Sequence, residues 1–144
     1  MTKQRTTYMS YIENIGREVW LDIHSILARK SIPLHTLVHC IITSYPCTMC
    51  RRHFKQHVHN KKYTHLTPSQ QQLFMFDVHN TVNAMKHKPI HTPTILYQYY
   101  SPKYDARVQE CLQFKSYSER LMSLHDKYKK HKLTFTTISS CIHE

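Results

Sequence analysis

The sequence predicts an all-α protein. The chain has a single glycine among its 144 residues, so it lacks the Gly-rich phosphate loops of sheet-based nucleotide-binding folds and the glycines that tight hairpins use. Apolar residues instead recur at spacings of three and four, which is the period of an amphipathic helix. A chain of this length forms about one domain, long enough to bury a core without disulfide staples.

The first two predicted helices cover residues 13–30 and about 33–44. The apolar stripe of the first consists of Val19, Trp20, Ile23, Ile26 and Leu27. Gly16 lies inside this helix, where a glycine costs about 1 kcal/mol relative to alanine. Something is therefore expected to approach the backbone at that point. Pro33 suits the first turn of the second helix.

Three further helices are predicted before residue 102. The third begins at the cysteine pair Cys47 and Cys50 and runs to about residue 60. The fourth has a strong start signal, because Thr67 can cap it, Pro68 fits its first position and Gln70 can complete a capping box. It should end before residue 89. A second Thr-Pro pair at residues 92 and 93 predicts a short fifth helix.

The pattern changes after residue 101. One more helix is predicted from residue 104 to about 131, more charged and less regular than the others, and the alternation in residues 133–138 predicts a short strand. The chain therefore divides into a polar lead (1–12), a helical bundle (13–101) and a mostly helical C-terminal extension (102–144) of unknown role.

The pair Cys47 and Cys50 is the chemically most informative part of the sequence. Two cysteines at this spacing can form a disulfide, hold a metal or present a thiolate at a helix start. Pro46 ends the preceding helix, and Cys50 falls in the first turn of the next, where backbone amides and the helix dipole stabilise a thiolate. Arg51 and Arg52 add positive charge. These features indicate a redox pair.

Two other classes of function stay open at this stage. The residues Cys47, Cys50, His53 and His57 can be written as zinc ligands, although the two halves of a zinc finger normally lie some twelve or more residues apart. The formal net charge of +11 would attract nucleic acid. The basic residues are spread along the chain, however, and a solvated face explains them more simply. The alternatives are thus a zinc-stabilised domain and a basic nucleic-acid-binding module.

The remaining features concern location and the other thiols. The N-terminus lacks the apolar segment of a signal peptide, and no run reaches the roughly 18 apolar residues of a membrane span. An intracellular protein without a membrane span is expected. Cys40 is interpreted as a small packing residue. Cys111 and Cys141 have no close partner in sequence; free thiols are the preferred interpretation, beside a bond to each other or between subunits.

Polar residues on two helices suggest a ligand. His79, Asn83 and Lys86 share one face of the fourth helix, where a core stripe would be apolar. Trp20 and His24 share a face of the first helix with Gly16. By helix spacing alone, the tryptophan is most simply a core anchor and the histidine its hydrogen-bonded neighbour.

Taken together, three segments within residues 15–89 resemble the Erv/ALR family of flavin-linked sulfhydryl oxidases. They are Gly16-Arg17-x-x-Trp20-x-x-x-His24, Tyr45-Pro46-Cys47-x-x-Cys50 and His79-Asn80-x-Val82-Asn83-x-x-x-x-Lys88-Pro89. The resemblance implies a four-helix bundle with a short fifth helix that holds FAD without a dinucleotide-binding sheet. It also implies that Trp20 and His79 pack against the flavin system and that Gly16 permits close approach. The other implied cofactor contacts are Arg17, His24, His53, Asn80, Asn83, Lys86 and Lys88.

By the same resemblance, the chain is a thiol oxidase that makes disulfide bonds in protein substrates. Electrons would pass from substrate thiols through Cys47 and Cys50 to FAD and then to dioxygen, giving hydrogen peroxide. The implied partners are cysteine-containing proteins or a thioredoxin-like thiol carrier, and a second copy of the chain in a homodimer. The bare core is similar to the short virus-encoded members, which would place it in the host cytoplasm or the virion. Met85 stands where relatives often carry a basic residue, and Lys86 is the candidate to replace it.

Overall fold

The computed structural model describes residues 3–59 and 63–129, with side chains from residue 11 onward. Within these ranges the regular secondary structure is entirely helical, which confirms the predicted all-α class. The helices are α1 (Lys3–Arg29), α2 (Leu34–Ser44), α3 (Thr48–His59), α4 (Pro68–Met85), α5 (Pro93–Tyr100), α6 (Tyr104–Cys111) and α7 (residues 117–129). A 3-10 turn, Ser101–Lys103, joins α5 to α6.

The helix starts at α4 and α5 follow the local chemistry of the sequence. The Thr67 hydroxyl accepts a hydrogen bond from the Gln70 backbone N–H, and the Gln70 side chain accepts one from the Thr67 N–H, so the predicted capping box is confirmed. Thr92 caps α5 in the same way, by accepting from the N–H of Ile95.

Helix α1 begins earlier than predicted. It starts at Lys3 rather than at residue 13, so the predicted polar lead is helical where the structure describes it. Tertiary packing supplies the reason. Tyr11 is 2% exposed, and its hydroxyl lies 2.9 Å from Nδ1 of His125 on α7. A helix of weak intrinsic propensity is stabilised when one of its faces is buried.

The prediction of one long helix from residue 104 to about 131 is wrong. The chain turns after α6 and forms a separate helix, α7. After Cys111 the backbone closes a tight turn, with the Phe114 N–H donating to the Cys111 carbonyl. The Ser116 hydroxyl then accepts from the Glu119 N–H and starts α7. Ser116 and Glu119 form the S-x-x-E pattern of a helix start, a signal that the charged composition concealed. The strand predicted at residues 133–138 lies outside the described residues.

Helix α1 is the element around which the others assemble. Helices α4, α5 and α6 pack directly against it, α2 packs on α3, and α3 packs on α4. The buried side chains form one core that includes residues of α6 and α7. The members of α1 and the C-terminal helices in this core are Tyr11, Ile15, Val19, Ile23, Ile26, Leu27, Cys111, Tyr117, Leu121 and Leu124. None of the helices in residues 3–59 and 63–129 is long and apolar enough to cross a membrane.

A buried ion network joins α1 to the C-terminal helices. The carboxylate of Asp22, which is fully buried, accepts hydrogen bonds from Arg107 (2.6 Å), Arg120 (3.1 Å) and Tyr117 (2.9 Å). Glu18, one turn earlier on α1, accepts from Arg107 and from Lys127 and Tyr128 of α7. The last two of these bonds are 2.9 Å long. Burial alone raises the pKa of Glu18, but its hydrogen bonds from Lys127, Arg107 and Tyr128 outweigh that effect and lower the pKa to about 2.

Cys111 lies beside this network and is a free, buried thiol. Burial, and then the charge of Asp22, raise the pKa of this thiol to about 12. A thiol in this state forms almost no thiolate near neutral pH, so it is unreactive in exchange. Cys141 lies outside the described residues.

Candidate functional site

Cys47 and Cys50 form a disulfide at the start of α3, with their Cα atoms 5.2 Å apart. Cys47 occupies the cap position: its carbonyl accepts from the Arg51 N–H, and its Sγ accepts from the Cys50 N–H at 3.2 Å. Pro46 favours the extended backbone that Tyr45 adopts at the end of α2. The pair therefore sits where two helix ends meet, half-buried and within reach of a reactant.

The disulfide forms part of the wall of a cleft of about 470 Å³ between α1, α3 and α4. An adjoining cavity of about 130 Å³ continues it along α1 and α4. Six residues line both spaces: Glu13, Gly16, Trp20, Val82, Lys86 and Lys88. The larger space is lined mainly by apolar side chains, and the smaller one by charged and polar side chains. A single elongated ligand with a flat apolar part and a charged part fits this division.

Gly16 lies on the floor of the cleft, and the protein itself does not require a glycine there. A Cβ built at this position would meet only the Tyr45 hydroxyl, at an ordinary contact distance of 3.8 Å. Because the glycine nevertheless costs helix stability, the space above it is best explained by a group that approaches the backbone from the cleft. The close approach at Gly16 that is expected from the sequence stays a prediction.

Trp20 and His79 form a flat wall where the cleft meets the adjoining cavity: Trp20 lines both spaces and His79 lines the cavity. Their rings stack with centroids 4.1 Å apart and planes 5° apart. His24 lies behind this pair, where its Nε2 is 2.9 Å from Nδ1 of His79 and its ring also contacts Phe76 and Tyr100. His79 therefore fixes the orientation of the Trp20 indole, and the contact with His24 fixes the orientation of His79.

Both histidines of this wall are neutral at pH 7. Burial, followed by the charges of Lys88 and Lys86, lowers the pKa of His79 to about 4. Burial, followed by the proximity of His79, holds the pKa of His24 well below 6.5. With both rings neutral, one nitrogen of the contact donates a hydrogen to the other. The wall is therefore polarisable and uncharged, which suits a flat aromatic ligand.

Three cations surround the charged end of the cleft, and one carboxylate lies between them. Glu13 contacts Lys88 at 3.2 Å and Arg17 at 4.0 Å. Burial in the cleft, and then the charge of Lys88, lower the pKa of Lys86, while Glu13 opposes this shift. The excess of positive charge is suited to an anionic group such as a diphosphate. Met85 and Lys86 both line the cleft, and the sulfur of Met85 lies 3.0 Å from the His57 ring.

The structure brings together most of the residues singled out from the sequence. Those that line the two spaces are Gly16, Arg17, Trp20, Cys47, Cys50, His53, His79, Asn83, Lys86 and Lys88. His24 and Asn80 do not line them. The Asn80 side chain donates to the His91 carbonyl at 2.6 Å and accepts from the His91 N–H at 3.1 Å, so it fixes the loop that carries the two lysines.

Sequence reasoning missed three residues of the site. These are Glu13, Tyr100 and Tyr45, the last of which the family resemblance includes in a motif without giving it a role. Burial, and then the proximity of Tyr11, raise the pKa of Tyr45, so the phenol above Gly16 stays protonated. The spacing of Glu13 and Arg17, at i and i+4 on α1, was the available signal for an ion pair at the cleft.

The structure does not show the zinc site that Cys47, Cys50, His53 and His57 could form. The two cysteine sulfurs are bonded to each other, and among residues 3–59 and 63–129 no group of three His, Cys, Asp or Glu side chains is placed to hold a metal ion.

Comparison with known proteins gives one match. The model of the Erv1/Alr family matches residues 17–107, which is more than half of the chain and contains the disulfide, the aromatic wall and all three cations. No curated protein and no solved structure gives a significant match.

Proposed function

The chain belongs to the Erv1/Alr family of sulfhydryl oxidases, and from this premise we propose that it uses Cys47, Cys50 and a bound FAD to make disulfide bonds in protein substrates. The observation that carries the proposal is that the disulfide and Trp20 line the same cleft, and that the indole stacks on His79, which lines the adjoining cavity. A redox-active sulfur pair and a planar ligand site thus share one space.

The residues of the cleft fit FAD. Trp20 and His79 offer an uncharged aromatic face, and Gly16 leaves room for close approach. Lys86 and Lys88 are suited to the diphosphate. His24 orients His79 from behind, and Asn80 holds the lysine-bearing loop, so both act as positioning residues. When bound, the flavin supplies the two-electron acceptor that returns the cysteine pair to a disulfide and passes the electrons to dioxygen, giving hydrogen peroxide.

Thiol chemistry assigns the two cysteines different parts. A substrate thiolate attacks Sγ of Cys47, the Cys47–Cys50 bond breaks, and Cys50 leaves as a thiolate. A second substrate thiol, as its thiolate, then attacks the substrate sulfur of the mixed disulfide and releases Cys47 as a thiolate. The substrate has lost two electrons, the pair has gained them, and the two thiol protons pass to solvent. The N–H of Cys50, 3.2 Å from Sγ of Cys47, is placed to stabilise the Cys47 thiolate.

The test is the absorption spectrum of the purified protein and of two variants. We expect flavin bands at about one equivalent per chain in the wild type, Cys47→Ser and Cys50→Ser. Both variants should lose oxidation of dithiothreitol down to the uncatalysed background, because either one leaves no disulfide to exchange. Cys40→Ser, at a packed cysteine away from the cleft, is the matched control. A colourless wild type, or substantial turnover by either cleft variant, would refute the proposal.

A further inference from the structure

The charges of the chain are unevenly distributed. Residues 23–76 contain no aspartate or glutamate, although this stretch includes α2, α3 and the disulfide. Its basic residues are Arg29, Lys30, Arg51, Arg52, Lys55, Lys61 and Lys62. The disulfide therefore lies in a part of the sequence that carries positive charge and no compensating carboxylate.

The carboxylates that lie elsewhere are largely engaged with other cations. Glu13 contacts Lys88, Asp105 contacts Arg29, and Asp126 contacts Lys129, while Glu18, Asp22 and Glu110 pair with Arg107, Arg120 and Lys127. None of the ion pairs in the described part of the chain involves Arg51, Arg52 or Lys55. We refer to these three residues as the α3 cationic face.

The α3 cationic face is adjacent to the disulfide. Met49 lies between the two cysteines in sequence, is 66% exposed and lines the cleft. Arg52 follows it by three residues and Lys55 by six, which places them along one exposed side of α3. Arg51 donates to the Thr43 carbonyl and the Thr48 hydroxyl, which fixes its position without neutralising its charge.

We propose that the thiol substrate is an acidic, cysteine-bearing protein segment that docks on the α3 cationic face. This deepens the proposed function and rests on it. Met49 offers an apolar contact at the disulfide, and the neighbouring cations attract carboxylates that flank the substrate cysteine. Opposite charges of this kind chiefly raise the rate of encounter, and salt screens them. The exchange step itself is unchanged: the substrate sulfur bonds to Cys47 and the pair receives its two electrons.

The experiment compares two peptides of equal length with the same two cysteines, one flanked by glutamates and the other by lysines. Rates are expressed relative to dithiothreitol, which is uncharged. At about 20 mM salt we expect kcat/KM for the acidic peptide to exceed that for the basic peptide by about tenfold, and the ratio to fall towards one at about 300 mM salt. In Arg52→Glu/Lys55→Glu the preference should reverse.

The matched control is Lys30→Glu/Lys103→Glu. These lysines lie near the C-terminal end of α1, where Arg29 contacts Asp105, whereas the part of α1 that lines the cleft runs from Ile12 to Ile23 and neither lysine lines it. The control changes the net charge by the same amount, so it should retain the preference for the acidic peptide.

Three results would overturn the inference. One is equal kcat/KM for the two peptides while dithiothreitol is still oxidised; this leaves the oxidase proposal intact. Another is loss of the preference in the control variant, which would assign it to the overall charge. The third is inhibition of peptide oxidation by a DNA duplex of about 20 base pairs, at DNA concentrations below the peptide KM. This result would show that the α3 cationic face binds nucleic acid instead. Absence of dithiothreitol oxidation would instead refute the oxidase proposal itself.

Discussion

Two opposite sides of α1 carry polar and aromatic side chains with the same four-residue spacing, yet they form different kinds of structure. Gly16, Trp20 and His24 face α4 and the cleft, whereas Glu18 and Asp22 face α6 and α7. Positions two residues apart are separated by about 200° around a helix. The side with Gly16 and Trp20 borders the cleft. The carboxylates of the other side accept hydrogen bonds from arginine, lysine and tyrosine side chains.

The difference shows how a stabilising polar cluster can be told from a binding site. Around Asp22 the charges are matched inside the protein and buried, as a structural network requires. At the cleft, no neighbouring atom of the protein would prevent a side chain at position 16, yet the residue is a glycine. Three cations surround the single carboxylate of Glu13. Groups that the protein leaves incompletely used point to a ligand.

The largest expected effect comes from a substitution in the buried ion network of Glu18 and Asp22. In Asp22→Asn the side chains of Arg107 and Arg120, which are 10% and 5% exposed, lose the buried carboxylate that they share, and only the more exposed Glu110 and, for Arg107, Glu18 remain beside them. We expect the free energy of unfolding at pH 7 to fall by about 3–5 kcal/mol, measured by urea titration. Asp126→Asn, which removes a partner of an exposed pair 3.9 Å long, should cost less than about 1 kcal/mol. Similar losses in the two variants would contradict the distinction.

A change of pH should affect the two sides of α1 differently. Lowering the pH from 7 to 5 should reduce the free energy of unfolding through the histidines beside the cleft and much less through the ion network. The pKa of His79 is about 4 in the folded protein and about 6.5 when unfolded. Below pH 6.5 the unfolded state therefore binds more protons, and stability falls as the pH is lowered towards 4. Between pH 7 and 5 we expect a loss of about 2 kcal/mol from His79, to which His24 adds in the same direction.

Urea titrations at several pH values test this expectation. Glu18, whose pKa is lowered from 4.5 to about 2, stays ionised in the folded protein over this interval. It therefore contributes only about 0.2 kcal/mol, as the unfolded carboxyl begins to bind protons near pH 5. His79→Asn removes one titrating group and should show a smaller loss between pH 7 and 5 than the wild type. An equal loss in the variant would show that His79 does not cause it.

The smallest expected effect concerns Gly16 and has opposite signs for stability and binding. Gly16→Ala should stabilise the flavin-free protein by about 1 kcal/mol, because alanine is the better helix former and its Cβ meets only the Tyr45 hydroxyl at 3.8 Å. The same methyl group should weaken flavin binding by about tenfold, measured by fluorescence titration. Higher stability with unchanged flavin affinity would show that nothing approaches the backbone there.

The sequence allowed the cleft side to be predicted better than the network side. The capping residues of α4 and the cysteine pair act through neighbours a few residues away, so their structural effect is visible locally. Trp20 and His79 could be linked only through the family resemblance, since spacing alone favoured a core tryptophan. The loop role of Asn80 was not predictable, because its partner is the backbone of His91, and backbone groups carry no sequence signal.

The network side could not be predicted, for a physical reason. Glu18 and Asp22 look like part of a solvated helix face, and their partners are distant in sequence. Nothing local indicates that Arg107 and Arg120 will neutralise one buried aspartate. The turn after Cys111 was missed for a related reason, since its S-x-x-E signal is short and lies within a charged, weakly periodic segment.

The central position of α1 also has a consequence for the order of folding. Arg107 follows Asp22 by 85 residues, and Tyr128 follows Glu18 by 110 residues. At a synthesis rate of roughly 5–20 residues per second, the helix emerges from the ribosome roughly 5–20 seconds before its last described partner. During this interval Glu18 and Asp22 stay solvated, and the side of α1 that packs against α6 and α7 stays uncovered. The longest helix in the part of the chain that the structure describes is therefore made before the elements that enclose it.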